Sequence, residues 1–419
     1  MLNSFIKAGF TYAFSDLLRK IAPFLLLPLY VSQLSIEQFG KLEYLTILTT
    51  FFSLLISWGS IQGLLRLYPD YGKVAVFQSI ILSFTIFISL IFLVSILYIV
   101  FDLHILLAIE TKNILFLCLL FGLIYSINNI AFTILRSEER LLEFTIFNLA
   151  SVILQIISIA YFIFNTDIGY LSKFYGIICS NLVLLIFLSF FVFNGKIELS
   201  PAKDIRFEVL KFYSPIAGGN LIGWISGSID KIIVKIILGD SALGIYAFAC
   251  QIAQIFKLSI ESFLKAFNVL VYKNVSLRDS LFEKRHFLII IFQILALVYL
   301  YMITWATNLP IMQEYKIELH VLALILLSRV FLLMNFVETI FYYSKLNSTI
   351  VAKAALISLI IISISIFPLV KNYGLFGAAS SLVIFSLSSY AYLNFKHENS
   401  FTKLVKNILF IATPWLLMM

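Results

Sequence analysis

Apolar residues recur along the chain in runs of about twenty, separated by short clusters of charge. A helix needs about 20 mostly apolar residues to cross a bilayer. Runs of that length lie at 10–32, 44–66, 75–101, 113–135, 144–164, 170–193, 210–237, 243–271, 286–307, 318–343, 349–370 and 374–395, which predicts twelve spans. The tail 402–419 is apolar but short, and reads as either a partial thirteenth span or an interfacial helix. The expected fold class is an all-α polytopic membrane protein.

Composition supports this. Of 419 residues, 61% are hydrophobic and 12% charged, against roughly 45–50% and 25% in a soluble domain. The formal net charge of +8 fits Lys and Arg held on one membrane face better than it fits nucleic acid binding. Cys118, Cys179 and Cys250 all lie in apolar runs and form no Cys-x-x-Cys pair. His104, His286, His320 and His397 stand too far apart for metal-ligand spacing, so neither metal nor cofactor is expected. The first apolar stretch contains Asp16, Arg19 and Lys20, which argues against a cleaved signal peptide.

The basic residues set the expected orientation. With a cytoplasmic amino terminus, eighteen Lys and Arg, from Lys7 through Arg136 and Arg140 to Lys403 and Lys406, fall in loops or helix ends on the inner side. The other side holds Lys41, Lys112, Lys173, Lys235, Lys316 and Lys371. That asymmetry predicts an inner-membrane protein with both ends in the cytoplasm. The loop after span six divides the chain into a lobe at 1–195, a linker at 196–209, a second lobe at 210–397 and the tail at 398–419. The halves show a faint repeat. Leu34–Leu42 between spans one and two, and Leu238–Tyr246 between spans seven and eight, are both a polar turn followed by an apolar residue and Gly. Two similar loops could also arise independently. Span one carries Pro23 and Pro28, and span seven carries Pro215, Gly218, Gly219, Gly223 and Gly227. Interrupted helices at matching places in two halves point to a transporter's substrate site, although Pro and Gly also serve ordinary helix packing.

A charge at mid-membrane costs about 2.5–3.5 kcal/mol on insertion scales, so charged side chains within spans should face the bundle interior. Basic residues outnumber acidic ones there, and guanidinium groups match phosphate oxygens. Arg19, Arg66, Lys257 and Arg329 are therefore the candidate anion-binding residues. Lys257, Glu261 and Lys265 share one helix face and can equally pair with one another. Asp16 and Glu261 are the candidates for carrying a coupling ion. No Ser-His-Asp set, Gly-rich phosphate loop or metal cluster appears, and the short external loops leave no room for an enzyme's catalytic domain.

Four stretches carry a family resemblance. They are Glu37-Gln38-Phe39-Gly40, similar to a "pEqyG" turn; Leu135-Arg136-Ser137-Glu138-Glu139-Arg140; Ser228-Ile229-Asp230-Lys231 followed by Leu238 to Tyr246; and Tyr373-Gly374-Leu375-Phe376-Gly377-Ala378-Ala379. Together they resemble the Wzx-type polysaccharide flippases of the multidrug/oligosaccharidyl-lipid/polysaccharide exporter superfamily. The resemblance implies two six-helix lobes around a cavity that opens alternately to each side. The implied substrate is an undecaprenyl-diphosphate-linked oligosaccharide, such as an O-antigen or capsular repeat unit. Membrane lipids, H+ or Na+, and polysaccharide assembly proteins are the implied partners. The cationic residues are not part of the shared motifs. One alternative is a membrane polysaccharide polymerase or ligase, an enzyme class that generally carries a substantial external loop, and the other is a drug exporter of the same superfamily. The exporter would favour buried carboxylates over cations.

Overall fold

A computed structural model describes residues 24–101, 113–192, 205–273, 285–306, 318–344, 348–398 and 401–416, with backbone alone over 259–273. The described residues are almost wholly helical. The helices are α1 (Leu27–Gln33), α2 (Ile36–Ser57), α3 (Ser60–Tyr71), α4 (Lys73–Phe101), α5 (Asn113–Ser137), α6 (Leu141–Asn165), α7 (Leu171–Val192), α8 (Arg206–Leu238), α9 (Asp240–Lys273), α10 (Arg285–Ala306), α11 (Leu319–Ser344), α12 (Ser348–Glu398) and α13 (Phe401–Leu416). Among the described residues, eight helices are long and apolar enough to cross a membrane. One of them is α12, a 51-residue element broken at Gly374 (φ 56°, ψ −134°), so it holds two spans. The break falls between the predicted spans at 349–370 and 374–395. The glycines of the Tyr373–Ala379 stretch explain it. Gly374 supplies a left-handed backbone, and a Cβ at Gly377 would lie 2.0 Å from the Leu369 carbonyl oxygen.

The chain divides into two compact units. One comprises Met1–Gln33 and Leu42–Ile225, the other Leu34–Lys41 and Ser226–Met419. In the first unit α5 is the central helix, packed by α3, α4 and α7, while α6 packs on α7. In the second, α11 is central, packed by α9, α10, α12 and α13. The peripheral helices show why. Phe84, Ile88, Phe92 and Ile99 on α4, Ile146, Ile153 and Ile157 on α6, and Ile360, Ile364 and Phe367 on α12 are all exposed. A helix that is apolar on its outer face as well suits lipid. Inside, short polar side chains join helices, as expected where lipid gives no hydrophobic drive for association. Ser83 and Ser126 hydroxyls lie 2.9 Å apart in the first unit. In the second, the Asn335 amide donates to Ser389 Oγ (2.7 Å) and the Gln293 amide to the Ile411 carbonyl (2.7 Å).

Two expectations need correction. Span seven was expected to be interrupted, yet α8 runs unbroken through Pro215 and its four glycines. A Cβ at Gly218, Gly219, Gly223 or Gly227 would meet nothing within 4 Å. Pro215 gives up one backbone donor and crowds the preceding turn, yet the helix continues past it. The interruption sits in span two instead, where Trp58 (φ 42°) and Gly59 (φ 78°) separate α2 from α3. There Trp58 Nε1 donates to Ser214 Oγ (3.2 Å), and a Cβ on Gly59 would lie 2.6 Å from the Tyr213 carbonyl oxygen. Also, Lys173 and Lys235, read as external-loop residues, lie on α7 and α8 and are both buried. Burial follows from pairing. Lys173 Nζ sits 3.9 Å from Glu43 Oε1 and 5.0 Å from the Tyr30 ring centroid, and Lys235 pairs with Asp240.

The faint repeat has a structural counterpart. A Cβ on Gly40 would lie 1.9 Å from the Asp240 carbonyl oxygen, and one on Gly244 would lie 2.1 Å from that of Ile36. Ile36 and Asp240, like Gly40 and Gly244, are 204 positions apart. Residue i thus touches the counterpart of j, and j the counterpart of i. Such reciprocity marks a two-fold relation between the segments. It explains why each turn needs glycine at that place.

Candidate functional site

The second unit holds charge deep within its helices. Asp230 on α8, from the Ser228–Lys231 stretch, is buried. Its Oδ2 accepts a hydrogen bond from the Tyr246 hydroxyl of α9 (2.9 Å), while its Oδ1 has no partner among the described residues. Tyr246 lies within electrostatic reach of Arg329 on α11, and Cys250, one turn along α9, within reach of Asp230, Lys231 and Arg329. Arg329 Nε is buried and also lacks a hydrogen-bond partner among the described residues. Three helices therefore bring a carboxylate, a guanidinium, an ammonium and a phenol into one neighbourhood. Buried polar atoms are nearly always satisfied, and an unsatisfied one costs about 1–3 kcal/mol. Two such atoms of opposite charge in one place leave donor and acceptor capacity for a polar ligand.

The structure treats the six predicted site residues differently. Arg329 joins this cluster. Lys257 lies on α9, half-buried. Arg66 stands on α3 of the first unit, 64% exposed, with Asp70 Oδ2 2.5 Å from its guanidinium. Arg19 and Asp16 lie outside the described residues, as does the side chain of Glu261. Sequence reasoning gave no role to Tyr246, whose partnership with Asp230 spans sixteen residues and a helical turn. The signal was present, since Asp230 and Tyr246 flank the Leu238–Tyr246 motif. A tyrosine in an aromatic-rich span, however, does not announce a polar partner.

The Leu135–Arg140 stretch forms a charged turn between α5 and α6. Glu139 adopts φ 56°, and the Arg140 N–H closes onto the Leu135 carbonyl (2.9 Å). Arg140 pairs with Glu143 and with Glu138, which push its guanidinium further above its ordinary value. The Arg136 guanidinium lies 5.0 Å from the Phe144 ring centroid, and the Tyr68 hydroxyl donates to Glu138 (2.5 Å). The pairs made by Arg140, Glu138 and Glu143 hold the turn in shape.

The fold defines an all-helical, multi-pass membrane protein. Solved structures bear out the fold. An inward-facing multidrug resistance MATE transporter of the MOP superfamily aligns with TM-score 0.67 at 16% identity, over 93% of this chain and 95% of that one. The lipid II flippase MurJ in an inward closed conformation aligns with TM-score 0.68 at 17% identity, over 99% and 91%. A Pyrococcus furiosus MOP superfamily transporter, described as having a binding pocket of reversed polarity, aligns with TM-score 0.54 at 14% identity, over 95% and 96%. Residues 5–268 match the family described as polysaccharide biosynthesis protein, and the chain belongs to that family. Two Haemophilus influenzae proteins are similar as well. One is a protein of the Lsg locus, 21% identical over 67% of this chain and 69% of its own length. The other is an uncharacterized membrane protein, 24% identical over 66% and 68%.

Proposed function

We propose that the protein is a flippase for an undecaprenyl-diphosphate-linked oligosaccharide, an O-antigen or capsular repeat unit, moving it from the cytoplasmic to the periplasmic leaflet of the inner membrane by alternating access. It works as two related six-helix lobes, with its amino terminus in the cytoplasm, and performs transport without catalysis. The observation that carries the reading is Arg329, a guanidinium inside an apolar bundle whose Nε has no hydrogen-bond partner among the described residues. A lipid diphosphate presents several anionic oxygens to such a fork, and the family's biosynthetic setting supports that cargo. Lys257 lies on the neighbouring helix α9 and adds positive charge. Asp230 beside Tyr246 keeps the site from holding the anion too tightly, because release is half of the cycle. The cation-rich set disfavours an organic-cation exporter. Complementation of a flippase-null strain tests the reading. Arg329→Gln should abolish surface polysaccharide at unchanged protein level, and Arg329→Lys should keep part of it. Gln at Arg19 and Arg66 tests whether the first half adds to the charge. Normal polysaccharide from Arg329→Gln would overturn the proposal. Cysteines at positions 112 and 203 check the orientation: a membrane-impermeant thiol reagent should label the first from the periplasm and spare the second.

A further inference from the structure

Helix α8 has an open face whose side chains do not suit lipid. At 33 residues the helix is long enough to cross a membrane, yet it falls outside the eight that are also apolar enough. Within the first unit it runs antiparallel along α2 and α3. The Tyr71 hydroxyl bonds Glu208, Trp58 bonds Ser214, and the Phe51 ring centroid lies 4.7 Å from that of Trp224. Between Ser214 and Trp224, the residues of α8 left exposed are Ser214, Pro215, Gly218, Gly219 and Gly223. None is a large apolar side chain, in contrast to the exposed Phe and Ile of α4 and α6. A Cβ at Gly218, Gly219 or Gly223 would meet nothing among the described residues within 4 Å.

Neutral hydrogen-bonding groups stand beside this face. Asn220 is near the midpoint of α8, about 20 Å or more from either helix end at 1.5 Å per residue. Its amide donates to Gln62 Oε1 of α3 at 3.3 Å, a long bond. Gln62 is exposed and Asn220 half-buried. The bond uses one Asn220 N–H and one Gln62 oxygen, so the Gln62 amide N–H groups and Asn220 Oδ1 remain available to a ligand. Amides that deep are costly against lipid, which offers no hydrogen bond, so water or a polar ligand must meet them. Gly219 and Gly223, like Asn220 and Trp224, are four residues apart and share a side of the helix. Glycine lets a ligand approach the backbone closely. The half-buried Trp224 indole adds a π surface, negative at its face.

We propose that this face of α8, with Gln62, binds the sugar rings of the cargo. Ring hydroxyls exchange hydrogen bonds with the Gln62 and Asn220 amides. Sugar C–H groups, slightly positive, pack against the Trp224 indole and over Gly219 and Gly223. Neither amide is charged, which suits hydroxyls better than a diphosphate or an organic cation. The identity of the cargo rests on the flippase reading above and on the family's place in polysaccharide biosynthesis. The added step is that its glycan part has its own contacts in the first unit.

The test uses the full-length protein in lipid nanodiscs, with Gly219→Cys or Gly223→Cys and a charged, membrane-impermeant thiol reagent. Labelling is read above that of the unaltered protein, which contains Cys118, Cys179 and Cys250. Both variants should label, and Ile153→Cys on the exposed face of α6 should not. The undecaprenyl-diphosphate-linked oligosaccharide extracted from cells that make the protein should slow labelling about tenfold, whereas undecaprenyl diphosphate alone should leave it unchanged. Adding Gln62→Ala and Asn220→Ala should raise the concentration needed for that protection about tenfold. None of these four positions is buried, so the variants should keep the melting temperature of the unaltered protein. Absence of labelling at both glycines, equal protection by the two lipids, or undiminished protection in the double alanine variant would each overturn the proposal. Complementation tests the flippase reading separately. Its failure with oligosaccharide-specific protection intact would remove transport and keep the sugar face. Normal complementation without that protection would remove the sugar face alone.

Discussion

The two units differ in how some of their charges are held. In the N-terminal unit Lys173 lies near Glu43, Arg140 pairs with Glu138 and Glu143, and the exposed Arg66 pairs with Asp70. In the C-terminal unit, Asp230 Oδ1 and Arg329 Nε have no hydrogen-bond partner among the described residues, and Glu338 is bonded by the Asn394 amide and lies beside the His397 imidazole. Paired charges at helix ends fix geometry. Charges with spare capacity in a helix interior can receive something.

The largest effect should come from the interior of the second unit. Arg329→Gln is expected to lower transport by roughly tenfold to a hundredfold, the loss of a charge-assisted contact worth about 1.5–3 kcal/mol, with little change in thermal stability. A large drop in melting temperature without loss of transport per folded molecule would reverse the comparison. In the first unit the reverse is expected. Glu43→Gln should destabilise by about 3–5 kcal/mol, because it strands the Lys173 ammonium in a buried place. Adding Lys173→Met should recover much of that loss, which thermal unfolding of single and double variants would show. Next come the reciprocal turns. Gly244→Ala places a methyl 2.1 Å from the Ile36 carbonyl oxygen and should cost about 1–3 kcal/mol through overpacking. Gly218→Ala, with open space around it, should leave the melting temperature unchanged. Smallest is Arg66→Gln, which removes an exposed i,i+4 pair worth about 0.3–0.5 kcal/mol. A stability loss above 1 kcal/mol would show that the side chain does more than pair with Asp70.

Much of the fold was legible because bilayer thickness leaves a length signal. Spans 113–135, 144–164, 170–193, 286–307 and 318–343 each reappear as a helix within a few residues, and the Gly374 break divides the last pair as read. Where reading failed, the local signal was ambiguous. Pro215 and four glycines suggested a broken helix, but continuity depends on what lies beside them, and nothing lies within 4 Å of those glycines. Trp58 has no breaking propensity. Its left-handed backbone is held by Ser214, 156 residues away.

By itself the sequence determined that this is a helical membrane protein, since hydrophobic run length is a property of the chain alone. It also marked the glycines at 40 and 244. Only the tertiary structure decided which charges are spent and which are open. Asp230 and Glu338 are both acidic residues in apolar helices, alike to a sequence reader. Tyr246 covers one oxygen of Asp230 and leaves the other bare, while Asn394 and His397, more than fifty residues along the chain, cover both oxygens of Glu338. Partners that distant in sequence are chosen by helix packing, which no local stretch of the chain encodes.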